Sequence, residues 1–338
     1  FNRRTNDRYC RRVVPLRSHR MAKEIAIEAA PLWLVADEGL RQRAVNVLRK
    51  TPHDKLITTG VMPCSKNSDW CPNSVISAIN DVKKKYDELP KYVTINVKRR
   101  ANPHDPMDKI LFCSRSGMQA AAIDAIFDFL LTKETEETAL SKHPLDSRQQ
   151  PENSTRSAPL FTFAEVPVTI RGYSDYVLWR KGFYNAIGYL PRKSERNMTA
   201  SSSRSLQYHV QCPVVKFDAN GIDQWESCLL SALHDFCEFV RCKQPNGVDL
   251  LMGDVEGNVK TTDREWHCSS RHVAQLLAAL AVLKSDGVAC IKLADSIIEH
   301  TVGLIFWAHI AFERVSIYKP NTSRIGNGER LAERQLWG

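Results

Sequence analysis

The sequence predicts an α/β fold in which a parallel sheet is covered by helices on both faces. From Leu160 onward, short apolar segments alternate with helical patterns, as in strands joined by crossover helices. Residues Phe163 to Phe183 have the layout of a strand, a tight turn and a helix. The length of 338 residues suits one large domain or two small ones.

The N-terminal part is predicted to be mostly helical. Apolar residues recur with helical spacing over Met21–Lys50, and Pro31 is expected to break this pattern into two helices. The fold of residues 51–95 is not evident. A strongly amphipathic helix is predicted over Gly117–Thr132.

The α/β part contributes the remaining elements. Strands are predicted at Leu160–Val166, Val248–Met252, Val288–Lys292 and Val315–Tyr318. Helices are predicted at Ser174–Tyr184, Gln224–Val240, Arg271–Lys284 and Glu299–Ala311. This organisation divides the chain into a basic arm (1–20), a partly helical N-terminal region (21–95) and one large domain (96–338) that contains a polar linker at 133–158.

The charge of the chain indicates a polyanionic partner. The net charge is +9 and the isoelectric point is about 9.0, which favours nucleic acid. No apolar run approaches the roughly 20 residues that cross a bilayer, so a membrane partner is not expected.

The cysteines and the first 20 residues indicate the cellular compartment in which the protein works. Ten cysteines lie scattered without a CxxC pair, which favours reduced thiols over disulfides, and no zinc spacing is present, so no metal is expected. The first 20 residues hold seven arginines and one aspartate. This composition predicts a mitochondrial location, with nucleus or cytoplasm as alternatives, or a basic arm on RNA. Because the chain begins at Phe1, its natural start is expected upstream.

Three charged residues follow predicted strands. Asp254 ends VDLLMGD, Lys292 ends VACIK, and Glu329 follows the last strand. Because ligands of open α/β sheets bind at the carboxyl ends of the strands, these residues mark the candidate site.

Several segments carry a family resemblance, and it spans Arg99 to Arg330. They include FAEVPVTIRGYSDYVLWRKGF, VDLLMGDVEG, QLLAALAVLKSDGVACIKLAD and KPNTSRIGNGER. With them the chain resembles the cap-specific mRNA ribose 2′-O-methyltransferases of the FtsJ-like superfamily. The resemblance implies a Rossmann-like methyltransferase sheet, S-adenosylmethionine as the methyl donor and a Lys-Asp-Lys-Glu tetrad.

The tetrad is incomplete in this chain. The resemblance places three of its members at Asp254, Lys292 and Glu329, and it places the first lysine where this chain has Gln119. A glutamine carries no charge and cannot replace an ammonium group. The tetrad must supply a base near the ribose 2′-hydroxyl, so this change predicts that catalysis has been lost.

The turn that holds the cofactor in the family also departs from its pattern. Where the family has Ala-Gly-Pro-Gly-Gly, this chain has Val168, Thr169, Ile170, Arg171 and Gly172 after Pro167. Glycines permit a positive φ and a close approach of backbone to ligand, and β-branched residues do not. The prediction is that no S-adenosylmethionine is bound, unless the chain is an active enzyme.

The function predicted from these residues is that of a pseudoenzyme that binds RNA. It would hold a capped or triphosphorylated 5′ end within a larger ribonucleoprotein, with protein subunits or a related methyltransferase-like partner, in mitochondrial RNA processing or guide-RNA-dependent editing. Alternatives are an active RNA 2′-O-methyltransferase and a structural protein, either a scaffold or an inactive partner subunit. Trp179 or Tyr173 would be available to stack on a base. The basic and polar residues predicted to contact RNA are Lys98, Arg99, Arg100, Asn102, Lys109, Arg115, Arg180, Lys181, Lys292, Lys319, Arg324, Asn327 and Arg330.

Overall fold

The computed structural model describes a large part of the chain. It covers residues 32–51, 71–101, 112, 115–133, 160–167, 173–182, 185–190, 210–211, 224–254, 265, 268–294, 296, 298–320, 322–323 and 330–336. The predicted basic arm and most of the linker at 133–158 lie outside these ranges, so the division into domains stays a prediction.

Eight strands and eight helices form the described fold. The strands are β1 (Trp33–Val35), β2 (Phe161–Pro167), β3 (Ala186–Tyr189), β4 (Val210–Gln211), β5 (Val248–Asp254), β6 (Leu283–Leu293), β7 (Phe312–Tyr318) and β8 (Arg330–Leu336). The helices are α1 (Glu38–Lys50), α2 (Asn73–Asp87), α3 (Lys91–Ala101), α4 (Arg115–Ile126), α5 (Tyr173–Lys181), α6 (Gln224–Lys243), α7 (Ser269–Val282) and α8 (Glu299–Ala311).

All eight strands belong to one sheet in the order β1-β7-β8-β6-β5-β2-β3-β4. The central pairs β5·β6, β2·β5, β2·β3 and β3·β4 are parallel. Strand β8 lies antiparallel between β6 and β7. The chain order reverses between β2 and β5, which makes their carboxyl ends the topological switch point. This sheet confirms the predicted α/β class.

Helices cover both faces of the sheet because side chains alternate along each strand. Ala164 and Val166 face one buried cluster, which α6, α7 and α8 complete. Phe163 faces a second cluster, which α4 and α5 complete. Every second residue of a strand, in phase with Phe163, therefore faces α4 and α5 and can contact the side chains of those helices.

The described residues of the N-terminal region form three helices and one strand. Residues 33–35 were predicted to be helical, but they pair antiparallel with β7 as β1. The ring of Trp33 packs edge-on against Phe127 and the Arg314 guanidinium lies 4.4 Å from its centroid. These contacts outweigh the helical spacing of the segment, because tertiary packing overrides weak local propensity.

Strands β3, β4 and β8 were not predicted. Strands β3 and β4 have four and two residues, too few to give a pattern. Strand β8 has the sequence RLAERQL, which is more polar than a strand between two neighbours normally is. Residues 193–208, whose Ser- and Arg-rich sequence predicts an exposed loop, lie outside the described residues.

The helix predicted over Gly117–Thr132 ends at Ile126, because a buried carboxylate organises the turn that follows. Asp124 is fully buried and accepts hydrogen bonds from the amides of Leu131 (2.8 Å) and Thr132 (3.3 Å), from the Thr132 hydroxyl and from the Tyr176 hydroxyl (2.6 Å). Within the turn, Asp128 and Phe129 have φ of 53° and 60°. This strained backbone is held by the four donors to Asp124.

None of the helices described is both long enough and apolar enough to cross a membrane.

Replacing Asp124 tests the role of this carboxylate. Asp124→Asn places an NH₂ group among four donors, so the free energy of unfolding should fall by about 2–4 kcal/mol. The control is Asp128→Asn, which makes the same chemical change at an exposed position of the same turn. It should change stability by less than about 0.5 kcal/mol. Urea denaturation measures both, and equal effects would contradict the role given to Asp124.

The stability of the chain at high pH tests the link between α4 and α5. Burial, followed by the charge and the hydrogen bond of Asp124, raises the pKa of Tyr176 above its usual value. The unfolded phenol ionises near pH 10, so the stabilisation by Tyr176 is complete below that pH and is lost above it. We expect wild type to lose up to about 1.4 kcal/mol per pH unit there relative to Tyr176→Phe. Tyr92→Phe, at a residue 70% exposed, should leave this pH dependence unchanged.

Candidate functional site

The candidate site lies where β2, β5 and β6 end side by side. Pro167 pairs with Asp254 across the switch point. Gly253 pairs with Ile291, which brings the next residues, Asp254 and Lys292, to neighbouring positions. The start of the predicted cofactor turn and two predicted tetrad members are therefore together at one edge of the sheet.

Asp254 and Lys292 form a buried ion pair. The Lys292 ammonium lies 3.1 Å from Oδ1 of Asp254, and the two side chains are only 7% and 5% exposed. The geometry is that of an ion pair rather than of an aligned hydrogen bond. Burying two charges is costly unless they are paired, so each residue supplies the counter-charge that the other needs at this place.

Helix α4 contributes a polar face to this pair. The Ser116 hydroxyl donates a hydrogen bond to Oδ2 of Asp254. Gln119 lies one turn further along the same face; it is 1% exposed, and its Oε1 accepts no hydrogen bond from the residues that the structure describes. Both carboxylate oxygens of Asp254 thus have a neighbour, and an uncharged amide occupies the position at which the resemblance places a lysine.

A second buried carboxylate, Glu165, binds the start of α5. Its oxygens accept hydrogen bonds from the amides of Tyr173 (3.2 Å) and Ser174 (2.9 Å) and from the Ser174 hydroxyl. The start of a helix carries partial positive charge and unsatisfied amides, which favours an anion there. In this chain the anion is the protein's own side chain.

The remaining turn and tetrad positions are described only in part. Pro167 is the last residue of β2, whereas Thr169, Ile170, Arg171, Gly172 and Glu329 lie outside the described residues. Arg330 begins β8 and pairs with Leu293, next to Lys292. The degenerate cofactor turn and the fourth tetrad position therefore stay predictions.

Some of the predicted RNA contacts border this edge. Arg115 directly precedes Ser116 and is half-buried, and Lys319 is exposed after β7. Leu331 pairs with Lys292 on one side and with Tyr318 on the other, so the ends of β6 and β7 lie at the same edge of the sheet with β8 between them. Arg100 is exposed in α3, which also contains Lys98 and Arg99. Asn102, Lys109, Arg324 and Asn327 are not among the described residues.

Arg180 and Lys181 are not at this edge. Lys181 lies 4.8 Å above the ring of Phe161, which begins β2, about 20 Å from its last residue. Arg180 lies 4.8 Å above the ring of Phe129. Arg180 and Lys181 therefore do not form one cluster of cations with Lys292.

The two aromatic residues considered for base stacking differ in exposure. Tyr173 is fully buried, so the structure contradicts the suggestion that it stacks on a base. Trp179 is 47% exposed and lies 6.0 Å from the ring of Phe112. Of these two residues, Trp179 is the one whose ring is exposed to solvent.

Within the described part of the chain, no three His, Cys, Asp or Glu side chains are grouped so that they could hold a metal ion.

The cysteines in the described part of the chain differ in their surroundings. Cys237 and Cys268 are buried and Cys242 is exposed, and burial raises the pKa of Cys237 to about 11. Such a thiol stays protonated at neutral pH and is inert.

Sequence reasoning did not find Ser116, Glu165 or Gln275. Glu165 left a signal, since a carboxylate inside an apolar strand needs a partner. Ser116 precedes Gln119 by one helical turn, which would have been enough to place it near the site. Gln275 lies in α7 and donates from Nε2 to the carbonyl of Asp254 at 2.9 Å. Nothing in its neighbourhood in the sequence indicated this contact.

Comparison with known proteins gives the following relatives. No family model matches the chain. It is 27% identical over 318 residues to the inactive cap-specific mRNA (nucleoside-2′-O-)-methyltransferase 1B of Caenorhabditis briggsae, covering 90% of this chain and 36% of that protein. It is 31% identical over 268 residues to cap-specific mRNA (nucleoside-2′-O-)-methyltransferase 1 of Caenorhabditis elegans, covering 77% of this chain and 29% of the relative.

The chain thus spans about a third of the length of the curated relatives that it matches. Among solved structures, a ribosomal RNA methyltransferase from Plasmodium falciparum aligns with 67% of this chain and 98% of its own, at 12% identity and a TM-score of 0.38.

Removing the ammonium from the buried pair tests its energetic role. Lys292→Met leaves the Asp254 carboxylate buried without its counter-charge, so the free energy of unfolding should fall by about 3–5 kcal/mol. The matched control is Lys284→Met, which breaks a half-exposed ion pair with Asp249 on the same strands. Its cost should stay near or below about 1 kcal/mol. Similar losses in both variants, measured by urea denaturation, would show that the pair is not buried as described.

Proposed function

On the premise that this chain is a homologue of the cap-specific mRNA (nucleoside-2′-O-)-methyltransferases, we propose that it is a non-catalytic RNA-binding protein. It holds the 5′ end of an RNA, triphosphorylated or capped, and transfers no methyl group. The observation that carries the proposal is Gln119, a buried amide on the helix face that contacts Asp254.

Gln119 removes one of the charges that methyl transfer needs. The attack of a ribose hydroxyl requires a base and groups that stabilise the developing charge. An amide cannot take the part of an ammonium group in either task, and losing one such contact commonly costs about 10² to 10³ in rate. The Ser116 hydroxyl donates to Oδ2 of Asp254 and the Lys292 ammonium lies 3.1 Å from its Oδ1, so each oxygen has a neighbour without a second lysine.

The turn after β2 supports the same proposal. Thr169 and Arg171 stand where the family pattern has glycines, and Ile170 stands where it has proline. The β-branched Thr169 and Ile170 restrict the backbone that the methionine part of S-adenosylmethionine would approach. We therefore propose that the chain uses no cofactor. S-adenosylmethionine is the cofactor only if the chain is an active enzyme.

The charges of the site favour RNA contacts around the buried pair rather than on it. Glu165 and Asp254 carry two negative charges at the strand ends and Lys292 carries one positive charge. This centre has no surplus of positive charge for a phosphate, and the start of α5 is already bound by Glu165. Near this edge the described cations include the half-buried Arg115 and the exposed Lys319, and in the proposed function they hold phosphates at the rim. Arg100, exposed in α3, is a further candidate contact.

The proposal includes a cellular setting. The arginine-rich first residues and the net charge of +9 support a subunit of a mitochondrial ribonucleoprotein that acts in RNA processing or in guide-RNA-dependent editing. Protein subunits, among them a related methyltransferase-like protein, would be its partners. Affinity purification followed by sequencing of the bound RNA tests this setting, and recovery of nuclear or cytoplasmic RNA alone would contradict it.

Binding of matched RNAs tests the proposed function. Three RNAs of one sequence, with a 5′-triphosphate, a cap or a 5′-hydroxyl, are compared by fluorescence anisotropy at fixed salt. We expect the triphosphate or the cap to bind about tenfold more tightly than the hydroxyl, because rim cations contact the added phosphates. Arg115→Glu and Lys319→Glu should each remove most of this difference.

Lys243→Glu is the control for these reversals, since Lys243 is exposed at the end of α6, at the opposite edge of the sheet. This reversal should weaken the binding of all three RNAs equally and only slightly. Equal affinity for the three RNA ends would contradict 5′-end binding. If the reversals have no effect and RNA is not bound, the chain is a structural scaffold instead.

One observation favours an active RNA 2′-O-methyltransferase as the second candidate. The Asp254–Lys292 pair is kept, buried, at the positions that the resemblance assigns to the tetrad. Calorimetric titration with S-adenosylmethionine separates the two candidates, because the active enzyme must bind its methyl donor. Micromolar binding, together with methyl transfer to capped RNA that Lys292→Met abolishes, would replace the first proposal by the second.

A further inference from the structure

Gln275 reaches from α7 to the switch point of the sheet. It is 1% exposed, and its Nε2 donates to the carbonyl of Asp254 at 2.9 Å and, at a longer 3.4 Å, to the carbonyl of Val166. These carbonyls belong to the ends of β5 and β2. One side-chain amide therefore connects the two strands at the place where the chain order of the sheet reverses.

The backbone of β5 is shaped to admit this side chain. A Cβ on Gly253 would lie 2.6 Å from Cδ of Gln275, closer than any carbon contact allows. Any residue other than glycine at position 253 would push the amide away from the strand. The close approach of Gln275 to β5 is thus a property of two residues that are 22 positions apart in the sequence.

Burying a glutamine at this position lowers the stability of the fold. Its Oε1 is buried and accepts no hydrogen bond from the described residues, which costs about 1–3 kcal/mol. A methionine has nearly the same volume and carries no amide oxygen that needs a donor. The contribution that distinguishes glutamine from methionine is therefore the hydrogen bond to the carbonyl of Asp254.

We propose that Gln275 is a positioning residue for the Asp254–Lys292 pair. By holding the carbonyl of Asp254 from the α7 face, it fixes the backbone of the residue whose carboxylate holds Lys292 and Ser116 on the α4 face. Gln275 touches no ligand in this role and acts through Asp254. The inference concerns the geometry of the pair and stands whether the pair serves RNA binding or catalysis.

The test compares Gln275→Met with Leu276→Ala in the full chain. Gln275→Met keeps the volume and removes the donor. Leu276→Ala, in the next residue of α7 and 7% exposed, leaves a cavity away from the pair and should cost about 2–4 kcal/mol. The readout is the ε-carbon NMR signal of Lys292 in protein labelled at lysine, assigned by its absence in Lys292→Arg. It is recorded without RNA and where each variant is fully folded.

We expect Gln275→Met to shift the Lys292 signal, while Leu276→Ala leaves it unchanged despite its larger loss of stability. An unchanged Lys292 signal in Gln275→Met, or equal shifts in both variants, would overturn the proposal. Because RNA is absent from this experiment, its failure is separate from failure of RNA binding. If Gln275→Met is poorly folded, Gln275→Leu removes the same donor and carries the test.

Discussion

The architecture of the site depends on one ion pair between neighbouring parallel strands. Asp254 and Lys292 lie almost completely buried at the ends of β5 and β6, where neither charge is tolerated without the other. A pair of this kind adds little to stability compared with apolar residues, but it is intolerant of change in one partner. The buried Asp254–Lys292 pair limits which side chains can surround it. A hydroxyl and an amide are compatible with a neutral pair, and they are what α4 supplies.

The surrounding charges give the site two zones with different chemistry. The centre holds two carboxylates and one ammonium group, all buried, whereas the accessible cations stand on the rim. Catalysis of methyl transfer needs charged groups at the centre, where the reacting hydroxyl lies. Retention of an RNA end needs them at the rim, where phosphates remain partly hydrated. In the function that we propose, Gln119 in place of the family's lysine weakens the first task and leaves the second intact.

The sequence was sufficient for those features that depend on nearby residues. Apolar runs that end in a charged residue located β5, β6 and the Asp254 and Lys292 positions, because burial and strand ends are visible in a few consecutive residues. Strand β1 and the end of α4 were missed because distant contacts decide them, namely pairing with β7 and the donors to Asp124. The contact of Ser116 with Asp254 joins residues 138 positions apart, and no local pattern records it.

The antiparallel position of β8 also bears on how the chain is made. Strand β8 fills the gap between β6 and β7, although all the other strands precede it in the chain. During synthesis, the facing edges of β6 and β7 must therefore wait for residues 330–336 to leave the ribosome. Unpaired strand edges are templates for association with other chains. The sequence RLAERQL carries three charged residues, and charged side chains lower the tendency of an unpaired strand to associate with other chains.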